Sequence, residues 1–176
     1  MKNYGRFAIE ILVTALLMSA SGQFQIELIG IALPITLQSM FAILLPLIFR
    51  TTSASLGILL YLLLALVGLP VLAGGASGVE PFLGNSGGYL IGFVVLGAAS
   101  HFWKDWMKTP RFVYVFAVFF FQHVLLTILG LSWIALLDTS TIAWSTHIGP
   151  FIPGLVVKGC IGTGLAEAYF RALKMK

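Results

Sequence analysis

The sequence is poor in charged residues and in cysteine. Only 9% of its 176 residues are charged, against about 25% in an average soluble protein, which argues against a soluble globular domain. The single cysteine, Cys160, excludes a disulfide bond within the chain. No Gly-Lys-Ser/Thr motif follows the glycine-rich stretch at 73–78, so the chain has no phosphate-binding loop of its own.

Hydrophobic residues take the place of the missing charges. They make up 59% of the sequence, and the mean hydropathy is +1.03. This composition indicates an integral membrane protein that contacts the lipid bilayer. The formal net charge of +4 therefore does not indicate binding to nucleic acid. The chain is too short for two membrane domains, and we expect a single membrane domain over residues 1–176.

Six apolar segments predict a bundle of six transmembrane helices, an all-α fold. The segments cover residues 6–22, 34–49, 54–72, 89–102, 112–137 and 149–170. Such lengths suit a hydrocarbon core of about 30 Å. The first segment follows a basic start at Lys2 and Arg6 and also has features of a signal peptide. We expect a retained helix, because the other segments are equally apolar. Pro34 is expected in the first turn of the second helix.

The basic residues predict the orientation of the bundle. In the six-helix arrangement all of them except Lys158 fall on the side of the two termini: Lys2, Arg6, Arg50, Lys104, Lys108, Arg111, Arg171, Lys174 and Lys176. The opposite loops carry Glu27, Glu80 and Asp138 but no Lys or Arg. The positive-inside rule then places both termini in the cytoplasm.

A few polar residues lie inside the apolar segments. Lys158 is the most costly, because an ammonium group at a helix centre disfavours insertion by about 2.5–3.5 kcal/mol. We therefore expect an anionic partner for it, either a ligand or another side chain. Gln122 and His123 lie near the middle of the fifth segment, where polar groups face the bundle interior or a cavity. For Gln122, a structural hydrogen bond between helices is the alternative to ligand contact.

Small residues form one face of the first segment. Ala15 and Ser19 are four positions apart, so they share a helix face, and small residues allow close approach of membrane helices. This face is a candidate for docking a partner, and packing within the protein is the alternative.

The three histidines do not predict an enzyme or a metal site. No His-x₃-His or Glu-x-x-His spacing occurs. His101 and His147 are predicted at opposite membrane faces, whereas a reactive site needs its groups together. We therefore expect no catalysis, no cofactor and no metal.

Five sequence blocks are similar to those of one transporter family. They read LPITLQS at 33–39, LYLLLALVGLPVLAGGASG at 60–78, GNSGGYLIGF at 84–93, LGLSWIALL at 129–137 and PFIPGLVVK at 150–158. In order and spacing they resemble the BioY family, the biotin-binding S components of energy-coupling factor (ECF) transporters. The resemblance implies a six-helix bundle in the bacterial plasma (inner) membrane that captures biotin from outside. It also implies a transmembrane coupling subunit and two cytoplasmic ATPases as partners.

The same resemblance implies a set of substrate-binding residues. The expected members are Lys158, Asn85, Gln38, Thr36, Tyr89, Gly74, Gly75 and Gln122. Lys158 would bind the carboxylate or a polar group of the ring, and Asn85 and Gln38 would hydrogen-bond the ureido group. Tyr89 would stack or hydrogen-bond, with an interfacial position as the alternative. The two glycines would allow close backbone approach, with simple loop flexibility as the alternative.

One position departs from the family's pattern. The family usually has an acidic residue directly after Pro-Gly, three positions before the lysine, and here that residue is Leu155. Positions three apart share a helix face, so an acid there would lie beside Lys158. Leu155 leaves open a second interpretation, an S component or a solitary carrier for a different small vitamin-like acid.

Overall fold

The computed structural model describes residues 4–26, 35–103, 111–137 and 151–174. Within these ranges the chain forms seven α-helices, a two-stranded ribbon and a 3₁₀ turn. In chain order they are α1 (Tyr4–Gln23), β1 (Gln25–Ile26), β2 (Ile35–Thr36), α2 (Gln38–Ile48), α3 (Thr51–Leu66), the 3₁₀ turn (Ala73–Gly75), α4 (Glu80–Leu83), α5 (Gly87–Trp103), α6 (Phe112–Leu137) and α7 (Phe151–Lys174). The all-α class is confirmed, because each strand has only two residues.

Several residues used in the sequence argument lie outside the described residues. They are Lys2, Glu27, Pro34, Lys104, Lys108, Asp138, His147 and Lys176. The orientation inferred from the charges stays a prediction for this reason.

The second apolar segment is shorter as a helix than predicted. We expected a helix over 34–49, but α2 begins at Gln38, because Ile35 and Thr36 pair with β1 in an antiparallel ribbon. Thr36 therefore lies in a strand and not inside a helix. With 11 residues, α2 is about 16 Å long at 1.5 Å per residue, well below the thickness of a hydrocarbon core.

The third apolar segment also ends earlier than expected. We predicted a helix over 54–72, but α3 ends at Leu66. Gly68 follows with a φ of 97°, which glycine adopts without a steric penalty, and Pro70 cannot continue the helix. The fifth apolar segment, in contrast, was predicted correctly, because α6 has the bounds 112–137 that we expected.

The short helix α2 forms the centre of the core. Most of its residues are buried: Gln38, Met40, Ala42, Ile43, Leu44, Leu45, Pro46 and Leu47. It contacts α5 and α7 as well as α1 and α3. Around it, α1 packs chiefly on α3, and α6 packs on both α5 and α7. These contacts bring residues from distant parts of the sequence to the N-terminal end of α2.

The outward faces of the helices are apolar. Leu16, Leu63, Phe120 and Ile128, for example, are between 46% and 68% exposed. By length and composition, α1 and α6 can each cross a membrane, whereas α2, α3 and α5 are apolar but shorter. The count of six membrane spans therefore stays a prediction.

A buried carboxylate joins α1 to the start of α3. Glu10 is only 4% exposed and accepts a hydrogen bond from the Arg50 backbone N–H at 3.3 Å. It also accepts one from the Ser53 hydroxyl, and Arg6 Nε lies 2.9 Å from its other oxygen. The carboxylate thus lies where the helix dipole of α3 is positive.

Candidate functional site

A cavity of about 130 Å³ lies between α2, α5, α6, α7 and the loop that follows α3. Four of the predicted substrate-binding residues line it together: Thr36, Gln38, Tyr89 and Lys158. Much of the remaining wall is apolar, with Leu72, Phe93 and Leu126 among the contributors. A concave, partly open site with apolar walls and a few converging polar groups is typical of small-molecule binding.

Lys158 brings a positive charge to this cavity from α7. Its Nζ donates a hydrogen bond to Ser39 Oγ on α2 at 2.9 Å. None of the described lining residues is acidic, and no carboxylate within the described ranges forms an ion pair with Lys158. Leu155, one turn earlier on α7, lines the same cavity. The ammonium group therefore has a neutral hydroxyl partner and is available to an anion.

Gln38 is held in place by two neighbours. Its Nε2 donates to the Tyr61 hydroxyl at 2.7 Å, and its Oε1 accepts from Thr36 Oγ1 at 3.5 Å. Gln38 is 3% exposed and Tyr61 is fully buried. Because a carbonyl oxygen has two lone pairs, Gln38 Oε1 keeps one acceptor position for a ligand.

The loop after α3 forms another part of the cavity wall. Leu72, Ala73 and Ala76 line the cavity, but Gly74 and Gly75 between them do not. Both glycines have positive φ angles, 65° and 78°, which favour glycine over other residues. Their position is thus explained by the turn, and their contact with a ligand stays a prediction.

The loop is fastened to the end of α1. Gln23 Nε2 lies 3.3 Å from both the Pro70 and the Leu72 carbonyl oxygens. This side chain therefore fixes the backbone that precedes the lining residues Ala73 and Ala76.

Tyr89 and the turn before α5 close a further side. Tyr89 lines the cavity, and its ring lies against Gly130 of α6, where an added Cβ would overlap it. Trp133 Nε1 donates to the Gly84 carbonyl at 2.9 Å and so holds the turn. In this turn Ser86 lines the cavity and the predicted residue Asn85 does not.

The two polar residues in the middle of α6 have different surroundings. Gln122 is fully buried, does not line the cavity, and accepts from Ser100 Oγ of α5 at 3.4 Å. This arrangement favours the structural hydrogen bond between helices that was the alternative for Gln122. His123 lines the cavity in its place.

The small-residue face of α1 points largely inward. Ala15 is 4% exposed and belongs to the hydrophobic core, and Ser19 Oγ donates to the Ala15 carbonyl at 2.8 Å. The burial of Ala15 favours packing within the protein, and the docking of a partner through Ala15 and Ser19 stays a prediction.

Sequence reasoning did not select four polar residues that line the cavity: Ser39, Ser86, His123 and Thr127. Two of them directly follow selected residues, since Ser39 follows Gln38 and Ser86 follows Asn85. The helical phase of α2 cannot be set from a segment whose start is misplaced by four residues. The contact between Ser39 and Lys158 joins residues 119 positions apart, and no spacing rule reaches that far.

Comparisons with known proteins identify relatives of this chain. "Biotin transporter BioY2" of Lactococcus lactis is 30% identical over 147 residues, which are 82% of this chain and 80% of that protein. "Probable biotin transporter BioY" of Bacillus subtilis is 31% identical over 152 residues, 81% of this chain and 77% of that protein. Both names describe transporters, which confirms the prediction that the chain is not an enzyme.

A solved structure has the same fold. It is the "crystal structure at 2.1 A of the S-component for biotin from an ECF-type ABC transporter", with a TM-score of 0.84 at 24% identity. The match covers 100% of this chain and 95% of that one. Residues 3–175 also match the profile of the BioY family. From this match over almost the whole sequence, we conclude that the chain belongs to the BioY family.

Proposed function

We propose that the chain is the substrate-capture S component of an ECF-type importer and that its substrate is biotin. The observation that carries the proposal is the Lys158 ammonium group, which faces a largely apolar cavity and has Ser39 as its hydrogen-bond partner. In a low-dielectric site, a cation that has no carboxylate partner among the described residues attracts an anion strongly. The relatives named above as biotin transporters support biotin as that anion.

The chemistry of biotin suits the lining of the cavity. Its valerate carboxylate would accept hydrogen bonds from Lys158 Nζ and Ser39 Oγ, which already lie 2.9 Å apart. The fused rings and the alkyl chain would pack on apolar side chains such as Phe93 and Leu126. The ureido group has one acceptor and two N–H donors, and Thr36 and Gln38 offer oxygen atoms to one of these donors.

The topology and the partners belong to the same proposal. Six membrane spans with both termini in the cytoplasm would place the protein in the bacterial plasma membrane and open the cavity to the outer side. The chain has no phosphate-binding loop, so ATP hydrolysis would come from two cytoplasmic ATPase subunits through a transmembrane coupling subunit. Absence of biotin uptake without these subunits would support the dependence.

A second candidate is an S component, or a solitary carrier, for a different small acid. Leu155 lines the cavity together with Lys158. An apolar side chain therefore occupies the position at which an acidic residue would accept hydrogen bonds from the ligand. A ligand with a carboxylate but fewer N–H groups would suit such a wall.

The test is equilibrium binding of labelled biotin and of its methyl ester to the purified protein and to Lys158→Met. We expect tight binding of biotin by the unaltered protein and a loss of roughly 30-fold or more in Lys158→Met. Loss of one partner of a buried, hydrogen-bonded charge pair costs about 2–5 kcal/mol. The ester should bind the unaltered protein weakly, and the variant should distinguish the two compounds poorly.

The control is Arg171→Met, which removes a positive charge from the exposed end of the same helix. It should leave biotin affinity unchanged. Failure of the unaltered protein to bind biotin would refute biotin as the substrate. Unchanged affinity and unchanged discrimination in Lys158→Met would make the lysine a structural residue.

A further inference from the structure

His123 is packed into the wall of the cavity. It is 5% exposed and lines the cavity from the middle of α6. Its Nδ1 lies 2.9 Å from the Phe119 carbonyl oxygen, one helical turn earlier, and its ring is stacked on the Phe119 ring at 6.4 Å. The Thr127 hydroxyl donates to the backbone carbonyl of His123 at 2.9 Å.

The hydrogen bond to Phe119 determines where the ring carries its proton. A carbonyl oxygen only accepts hydrogen bonds, so Nδ1 must be the donor. In a neutral ring Nε2 then has a lone pair and no hydrogen.

Nε2 is the polar atom of this ring that has no partner. It is buried, and no hydrogen-bond partner for it exists within the described residues. An unsatisfied buried acceptor is costly, so a donor from a bound molecule would stabilise the site. The hydroxyls that line the cavity can either donate or accept, whereas Nε2 in this tautomer can only accept.

We propose that His123 is a ligand-binding residue whose Nε2 accepts a hydrogen bond from an N–H group of the ligand. The inference rests on the proposed function, in which the N–H group belongs to the ureido ring of biotin. Lys158 and His123 then recognise opposite chemistries in one cavity, the lysine an anion and the histidine a donor. No described lining residue is acidic. His123 therefore supplies the acceptor that a carboxylate would otherwise provide.

The test compares two substitutions, one that keeps the hydrogen-bond donor at the Nδ1 position and one that keeps the acceptor at the Nε2 position. His123→Asn keeps an N–H near the position of Nδ1, which can still donate to the Phe119 carbonyl, but its amide oxygen falls near the position of Cδ2, so no acceptor remains at the position of Nε2. His123→Gln places an amide oxygen near the position of Nε2. The probes are biotin and two analogues, each methylated on one of the two ureido nitrogens. The matched control is His101→Asn, which changes an exposed histidine outside the cavity.

For the unaltered protein we expect one methylated analogue to bind roughly 10- to 100-fold more weakly than biotin, since it leaves the acceptor unpaired. His123→Asn should lose a similar factor for biotin and should no longer discriminate against that analogue. His123→Gln should retain part of both properties, and His101→Asn should behave as the unaltered protein. If His123→Asn does not fold, the unaltered protein and His123→Gln still decide, because equal affinity for biotin and both analogues overturns the inference.

The outcomes separate this inference from the proposed function. Biotin binding that depends on Lys158 but is unchanged in His123→Asn overturns the role of His123 and leaves the proposed function in place. If His123→Asn discriminates between biotin and the two analogues as the unaltered protein does, the role of His123 is likewise overturned and the proposed function is not. Absence of biotin binding by the unaltered protein overturns both.

Discussion

Replacement of Glu10 by alanine should destabilise the protein substantially. The side chain is 4% exposed and accepts hydrogen bonds from the Ser53 hydroxyl and from the Arg50 N–H at 3.3 Å. Without the carboxylate, the Arg50 N–H loses its partner, the Ser53 hydroxyl keeps only the Arg50 carbonyl as an acceptor, and α1 loses its polar link to α3. The third partner, Arg6, has an exposed side chain and contributes little, because water screens surface ion pairs.

The magnitude follows from the loss of these two contacts. A hydrogen bond to a charged group contributes about 1.5–3 kcal/mol, so the lower end of that range gives about 3 kcal/mol for the pair. In a chain of this size, 1 kcal/mol corresponds to a shift of about 2–4 °C in the unfolding temperature. We therefore expect Glu10→Ala to lower the unfolding temperature by roughly 6–12 °C.

The assay is thermal unfolding of the purified protein in detergent. Arg6→Gln is the matched control and should shift the unfolding temperature by much less than Glu10→Ala. The double variant Glu10→Ala with Ser53→Ala should be less destabilised than the sum of the single variants, since both remove one shared contact. An unfolding temperature for Glu10→Ala equal to that of the unaltered protein would refute the reasoning.

Two further substitutions test the walls of the cavity. Tyr61→Phe removes the hydroxyl that accepts a hydrogen bond from Gln38 and leaves a buried amide donor unpaired, so biotin affinity should fall roughly 5-fold or more. Unchanged biotin affinity and unchanged stability would show that this contact does not hold Gln38 in place. Gly130→Ala adds a Cβ that overlaps the Tyr89 ring, so it should displace that ring and weaken biotin binding. The control Gly164→Ala adds a Cβ that meets no neighbour and should leave binding unchanged. Equal biotin affinity in the two variants would contradict the packing of Tyr89 on Gly130.

Long uninterrupted apolar runs were predictable from the sequence alone. The prediction for α6 has the observed bounds, because Arg111 and Asp138 flank a run in which nearly every residue is apolar. The start of α2 was not predictable in the same way. Ile35 and Thr36 are compatible with a helix or a strand, and only their pairing with β1 decides between the two.

Within the cavity, the residue types were easier to predict than the neighbours they contact. Lys158 stands out because a charge in an apolar segment is costly, and the structure places it in the cavity. Its contact with Ser39 depends on the packing of α7 against α2, which periodicity does not reveal. The choice between Gln122 and His123 depends on the rotation of α6, and a helix that is apolar on all sides gives no signal for that rotation.

Membrane proteins are synthesised from the N-terminus, so in the proposed topology α1 enters the bilayer before α3 exists. Glu10 precedes Arg50 by 40 positions and Ser53 by 43, and at about 5–20 residues per second the ribosome needs roughly 2–8 s to add that stretch. During this interval the carboxylate would be unpaired in a low-dielectric environment if it depended on α3. Arg6, one turn away on the same helix, is available from the beginning. Biogenesis of this topology would therefore proceed with α1 carrying a locally neutral pair, and α3 would later bind the second oxygen of the same carboxylate.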